Sequence, residues 1–326
     1  AAYAQDEWNP SKQISAYAGL RWEGIETRSD SAAYQVSNQS SVLTPLLHAT
    51  WKPDEKSRDQ FRSSLTRSYK AASLSELIAR PAISQRFPTG ANEVGSPDRA
   101  GNPSLAPELA RGFEIAYEHY LSKGGLISAN YFYRRISDLI RNVVALEDVS
   151  WSPNKRWVSR PQNVGNATAQ GVELEAKFRL DEAWADALPV SLRTNVSFFD
   201  SQVEQVPGPN NRLTDQTPLS FNLGLDYKAG PTLTLGGNFS FKSGGPIRVS
   251  ETSSTYSSIK RELDMYALWK IDSHWQWRVS VVNLLTQPYT YLAEYRASTG
   301  ALMNRTIYAA SAGLRATLEW KLGAGK

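Results

Sequence analysis

The feature that most constrains this chain is a hydrophobic period of two residues, sustained almost from end to end. Successive side chains of an extended strand point to opposite faces, so strict alternation builds one apolar and one polar surface. Over 306–322 one parity carries Tyr308, Ala310, Ala312, Leu314, Ala316, Leu318, Trp320 and Leu322. The other carries Ser311, Gly313, Arg315, Thr317, Glu319 and Lys321. The pattern returns over 273–283, 259–271, 233–242, 219–228, 190–198 and 171–180. With more exceptions it marks 126–135, 113–121, 61–70, 45–52 and 14–22. About thirteen strands result. The stretches 126–146 and 156–180 read as extended nearly throughout, far beyond the ~5–6 residues of an ordinary strand.

The connections alternate in length as well. Turn-like links fall near 9–12, 53–59, 122–125, 181–188, 229–231 and 271–273. Longer polar links, rich in Gly, Pro, Asn and Ser, fall between them, near 27–41, 71–110, 147–156, 203–215, 244–257 and 299–304. Such alternation is what an up-and-down antiparallel meander gives when its two ends face different surroundings. The 71–110 link is too long for a packed connection and reads as a functional loop. No composition shift marks a domain boundary, so 1–326 reads as one domain.

Composition narrows the function. The chain has no cysteine, which excludes disulfide scaffolds, thiolate metal sites and cysteine nucleophiles. Its three histidines, His48, His119 and His274, lie far apart and offer no metal-ligand spacing. A net charge of +4 is too small to point to nucleic acid. There is no Gly-x-Ser-x-Gly elbow, no phosphate-binding Gly loop and no His-Glu-x-x-His, so no catalytic residue and no cofactor is expected. Glu173 and Glu175 share a face and read as charges on a polar wall rather than as an acid/base pair.

A mean hydropathy of −0.43 fits a soluble β-sandwich with its apolar face inward. Alternation fits equally well a membrane barrel with that face outward. Three features favour the barrel. Trp8, Trp51, Phe61, Tyr120, Phe178, Tyr227, Trp269, Trp275 and Trp320 all lie beside the short links, where indole and phenol rings settle at a membrane interface. The apolar stripe on each strand has about the length of a tilted membrane-crossing strand. The opposite face carries several charges per strand, as a wet lumen does. Three residues break the pattern, since Arg67, His119 and Arg261 fall on the apolar parity. A lipid-facing Arg costs about 2–4 kcal/mol at mid-bilayer and about 0–1 near the interface. Arg261 and His119 sit near strand ends, whereas Arg67 lies nearer mid-band, where a β-bulge would be needed. The last strand and the first segment, 1–7, both run toward the short-link side. A complete even-stranded barrel would not begin so, and the chain is expected to be the C-terminal part of a larger one.

Specific motifs point the same way. Asn102-Pro103-Ser104-Leu105-Ala106-Pro107-Glu108, followed by Gly112-Phe113-Glu114-Ile115-Ala116-Tyr117-Glu118, resembles the Asn-Pro-x-Leu-x-Pro-Glu segment of TonB-dependent outer-membrane receptors and the strand after it. Tyr69-Lys70-Ala71-Ala72-Ser73-Leu74-Ser75-Glu76-Leu77 resembles the family's Tyr-Lys-Ala-Pro-Ser-Leu-x-Glu-Leu stretch, with Ala72 for the usual Pro. Tyr131 to Ile140 is similar to its Tyr…Ile-x-Asp-Leu-Ile strand. Asn163-Val164-Gly165-Asn166-Ala167 with Gly171-Val172-Glu173-Leu174 matches Asn-x-Gly-x-Ala…Gly-Val-Glu-Leu. Val282-Asn283-Leu284-Leu285 resembles the Asn-Leu-Phe element, with Leu285 for Phe. The tail after Trp320 departs from the family's aromatic terminus.

The resemblance implies an all-β transmembrane barrel, with this chain supplying about the last thirteen of 22 strands and no plug domain. It implies an outer-membrane receptor of a Gram-negative bacterium that takes up a ferric siderophore or a similar scarce ligand. Its implied partners are the lipid bilayer, the TonB complex acting through an upstream plug, and the barrel-assembly machinery. Alternatives are a passive porin-like or adhesive barrel and a soluble all-β binding module. Cationic and aromatic groups together suit an anionic, aromatic ferric chelate. The candidate ligand residues are therefore Arg80, Arg86 and Arg99 in the long loop, with Trp151, Arg156 and Trp157 near the 147–156 link.

Overall fold

The computed structural model describes residues 1–30, 35–297 and 300–321. Parts of the 27–41 and 299–304 links, and the tail 322–326, lie outside the described residues. The strands are β1 (Ala2–Trp8), β2 (Ile14–Asp30), β3 (Gln35–Trp51), β4 (Asp59–Lys70), β5 (Asp98–Arg99), β6 (Glu108–Tyr120) and β7 (Leu126–Ser137). They continue with β8 (Ile140–Glu147), β9 (Arg156–Asn163), β10 (Ala167–Arg179), β11 (Val190–Val203), β12 (Leu219–Lys228) and β13 (Leu233–Lys242). The last are β14 (Gly245–Arg248), β15 (Ser253–Ser257), β16 (Lys260–Lys270), β17 (Trp275–Val282), β18 (Tyr289–Ala297), β19 (Gly300–Tyr308) and β20 (Gly313–Trp320). Two single turns of helix, α1 (Leu74–Leu77) and α2 (Leu180–Ala183), complete the described elements.

Thirteen strands form one antiparallel sheet in the order β1-β2-β3-β4-β6-β7-β10-β11-β12-β13-β16-β17-β20, as the alternation predicts. The remaining strands form two small sheets, β14-β15-β18-β19 and β5-β9-β8, inserted in the long connections. The register carries one parity unbroken across the large sheet. Ile14 faces Trp51, Trp51 faces Phe61 and Phe61 faces Tyr117 at one side. Trp269 faces Trp277, and Trp275 faces Trp320, at the other. Side chains of this parity stand exposed, with Leu65 at 57%, Ile115 at 54% and Leu314 at 78%. The aromatic pairs Trp51–Phe61 and Phe61–Tyr117, each 5.1 Å between centroids, and Trp275–Trp320 at 5.6 Å lie beside the short turns.

The opposite parity is polar and concave. His48, Arg62, Glu118, Asn130, Glu175 and Asn195, from six neighbouring strands, line a single concavity of about 870 Å³. Only curvature toward the polar face brings side chains so far apart in sequence around one space. Apolar side chains therefore point outward, the reverse of a soluble sandwich. No helix among the described residues is long and apolar enough to cross a membrane. The sheet's strands of 8 to 17 residues bracket the ~9–11 that a tilted crossing requires, apart from β1 at 7.

Three expected strands are interrupted. The 126–146 stretch breaks at Asp138 (φ 59°), and 156–180 breaks at Gly165 (φ 113°). The breaks are bonded to each other, Leu139 N–H to Gly165 O at 2.9 Å and Val164 N–H to Leu139 O at 2.8 Å, so the β8–β9 hairpin leaves the sheet as a unit. The 306–322 stretch breaks after Tyr308, and β19 joins the small sheet instead. Periodicity could not show these breaks, because alternation persists through them. Nor does Arg67 sit in a bulge: the β4–β6 ladder runs unbroken from Asp59 opposite His119 to Lys70 opposite Glu108. His119 is satisfied on the outward face by Asp59, with Nδ1 and Oδ1 2.8 Å apart.

Candidate functional site

The short turns gather at one end of the sheet, and the long connections with the two small sheets gather at the other. Three of the motif segments meet at that long-loop end. In the first, the Glu76 carboxylate accepts from the Ser73 backbone N–H at 2.7 Å and hydroxyl at 2.8 Å, which closes α1. The second is tied to it by Gly101 N–H to Ile78 O (2.9 Å) and Asn102 N–H to Glu76 O (2.7 Å). Gly101 is required there, since a Cβ would stand 2.3 Å from Ile78 O. The third joins through Asn163, whose Oδ1 accepts from Ala106 N–H at 2.9 Å. Its Nδ2 donates to Ala106 O (3.0 Å) and Asp138 O (2.7 Å). Leu77, Leu105 and Ile140 fill the space between. The motifs thus form an architectural knot at the barrel rim that fixes where the long loop leaves the wall.

Beyond the knot, the loop is ordered by one buried pair. Arg156 and Asp98 are sealed from solvent, at 1% and 0% exposed. Arg156 Nε and Nη2 donate to the Asp98 oxygens at 2.9 and 2.7 Å. Its remaining donors reach Phe87 O at 2.8 Å and Gly90 O. Trp151 Nε1–H also donates to Asp98, at 2.9 Å, and Ser84 N–H does so at 2.9 Å. Burial alone would push the Asp98 carboxyl up. The Arg156 guanidinium, the Ser84 N–H and the Trp151 indole outweigh it and hold the carboxyl down to about 2.

The candidate ligand residues therefore divide. Arg156 is a correction: its guanidinium is sealed from solvent and makes four hydrogen bonds inside the protein, as a buried charge must be paired. The indole N–H of Trp151 is likewise committed to Asp98. Trp157 packs edge-on against Tyr295 of β18, 5.9 Å between centroids, and so joins the two small sheets. Arg80, Arg86 and Arg99 are exposed. Arg99 is bonded through its backbone to Ala82, two residues along the loop from Arg80. Arg86 lies over the Phe87 ring at 5.4 Å.

A second cationic, aromatic place was not expected. Arg212, Lys242, Lys260, Tyr289, Tyr291 and Tyr308 line a concavity of about 910 Å³ between the wall and the β14-β15-β18-β19 sheet. Lys242 and Lys260 are register partners. Arg212 Nε is buried without a hydrogen-bond partner. Burial, and next the Asp215 carboxylate, raise the Tyr291 phenol, which keeps it a neutral hydrogen-bond donor. Asp215 and Glu262 also line the space, leaving the cations in excess. The sequence signal was faint: one lysine at the end of β13 and one at the start of β16, with Tyr308 read as part of an apolar strand face.

Residues 1–284 match the family described as TonB dependent receptor-like, beta-barrel. The chain belongs to this family. Among solved structures, the siderophore receptor PirA from Acinetobacter baumannii has a TM-score of 0.64 at 16% identity. The alignment covers 98% of this chain and 45% of that one. The FrpB iron transporter from Neisseria meningitidis (F5-1 variant) has a TM-score of 0.65 at 17% identity, covering 98% of this chain and 44% of that one. A curated relative, the heme/hemopexin utilization protein C of Haemophilus influenzae (strain 86-028NP), is 30% identical over 181 residues. That match covers 50% of this chain and 23% of the relative. The TonB-dependent receptor barrel described here thus spans less than half the length of these relatives.

Proposed function

We propose that this chain is barrel wall from an outer-membrane receptor that takes up an iron complex, a ferric siderophore or heme, with energy supplied through TonB. The observation that carries this reading is the inverted sheet: a continuous apolar face outward, a charged concave face inward, and folded loops at one end only. A wall of this kind positions and encloses a ligand and performs no chemistry on it. The relatives, siderophore receptors, an iron transporter and a heme utilization protein, support an iron complex as cargo.

The ligand arrives at the long-loop end. Arg80, Arg86 and Arg99 meet it from the long loop, and Lys242, Lys260 and the three tyrosines receive it at the wall. Both groups offer charge-assisted hydrogen bonds to oxyanions beside aromatic faces. TonB acts on a plug held by the inner face, where Arg21, Arg193, Arg278 and Arg315 offer partners for plug carboxylates. The barrel-assembly machinery inserts the wall, and the bilayer covers its apolar face.

Uptake of a labelled iron complex by cells bearing the complete receptor is expected to stop when the proton-motive force is collapsed. Continued uptake would overturn energised transport in favour of a passive pore. Replacing Arg80, Arg86 and Arg99 together by Ala is expected to weaken binding of the cognate complex about tenfold or more, with barrel assembly unchanged. Unchanged affinity would remove them from the site.

A further inference from the structure

Arg67 is unexplained by the membrane reading until its neighbours are considered. Its register partner on β6 is Arg111. The partner of Arg111 on β7 is Arg135. Three arginines thus stand side by side on three adjacent strands, in one row and on one parity. That parity is the outward one: Leu65, Phe113 and Tyr133 form the next row toward the short turns.

The row also has a defined height. Arg135 stands eight residues along β7 from Ile127, and Arg111 eight along β6 from His119, the outward residues beside the short turn. Arg261 stands the same eight residues from Trp269 on β16, and Gln170 from Phe178 on β10. Eight residues rise about 26 Å along a strand, or roughly 20 Å of depth at a ~40° tilt. The arginines therefore mark the upper edge of the apolar stripe, at the long-loop side.

Like charges directly opposite one another repel, and this row has two such contacts. Carboxylates neutralise it only at one end. Arg135 has Glu204 at 3.7 Å. Asp200 lies one row lower and accepts from Gln170 at 3.3 Å. No carboxylate pairs with Arg67 or Arg111 among the described residues, and Arg67 Nε is buried without a partner. A planar guanidinium matches phosphate oxygens in a two-point fork, and three in a row span more than one phosphate.

We propose that Arg67, Arg111 and Arg135 form a docking surface for the phosphate groups of membrane lipids in the leaflet at the long-loop end. The row rests on the membrane reading above but not on the uptake reading. It anchors that edge of the wall at a fixed depth, next to the strands from which the long loop and the β8–β9 hairpin arise.

The test uses the complete receptor, reconstituted in phosphatidylcholine vesicles. Selectivity for spin-labelled phosphatidic acid over spin-labelled phosphatidylcholine is read by electron paramagnetic resonance. The receptor is expected to prefer phosphatidic acid about fivefold or more. R67Q/R111Q/R135Q is expected to bring the ratio near one, and the single exposed variant R111Q to lower it measurably. R134Q removes the same charge from the inner parity one residue away and is expected to leave the ratio unchanged. Equal selectivity in wild type and R111Q, or an equal loss in R134Q, overturns the proposal. Competition by inorganic phosphate at equal concentration also overturns it, because the source would then be the free anion. Failure of the receptor to enter vesicles at all would count against the membrane reading itself.

Discussion

At the residue scale, the chain shows how a charge in a sequence can mislead about its role. Arg156 and Arg99 read alike as loop cations. The fold seals Arg156 against Asp98 and leaves Arg99 exposed. Removing one partner of a sealed pair strands the other charge, at a cost of about 3–5 kcal/mol. Asp98→Asn is therefore expected to loosen 84–99 and expose it to limited proteolysis, with the barrel wall intact; unchanged cleavage would deny the pair its ordering role. The pH dependence has a definite sign. The Asp98 carboxyl is held at about 2, below its ordinary value, so the pair's contribution is complete above about pH 4. It is lost as pH falls through 2. Loop cleavage by an acid-tolerant protease is expected to rise between pH 4 and pH 2 in wild type and to stay flat in Asp98→Asn.

At the element scale, strands were legible and interruptions were not. A strand buried or lipid-covered on one face must alternate, and a one-residue slip would turn every apolar side chain inward, so sequence fixes register strongly. The breaks at Asp138 and Gly165 depend on cross-links between residues distant in sequence. The motif asparagines are the clearest case. They were recognisable as a pattern, but only the fold shows that Asn163 ties 106 to 138. Asn163→Ala strands the Ala106 N–H and two carbonyls, each worth about 1–3 kcal/mol if buried unpaired. It is expected to lower the melting temperature of the complete receptor and to speed hydrogen exchange at Leu139 and Val164. Exchange unchanged at these amides would show that the knot does not depend on Asn163.

At the scale of the whole molecule, the large sheet is open, with β1 at one edge and β20 at the other. Exposed strand edges seek partners. The 326-residue chain produced alone is therefore expected to aggregate on refolding in detergent and to give no heat-modifiable band on electrophoresis. A monodisperse, heat-modifiable product would show that these edges close on each other. Sequence alone determined the number of strands in the large sheet, their parity and the aromatic belt, because these follow from local geometry and from the solvent each face meets. It also carried the family resemblance, since short motifs survive where the backbone allows few alternatives. Tertiary structure alone decided which parity is concave, which loop arginine is sealed, and that Lys242 meets Lys260 and Arg67 meets Arg111 and Arg135. Those outcomes depend on the register in which separate strands pair and on contacts among the long loops. Such pairing brings like charges side by side without leaving any mark in the local sequence of either strand.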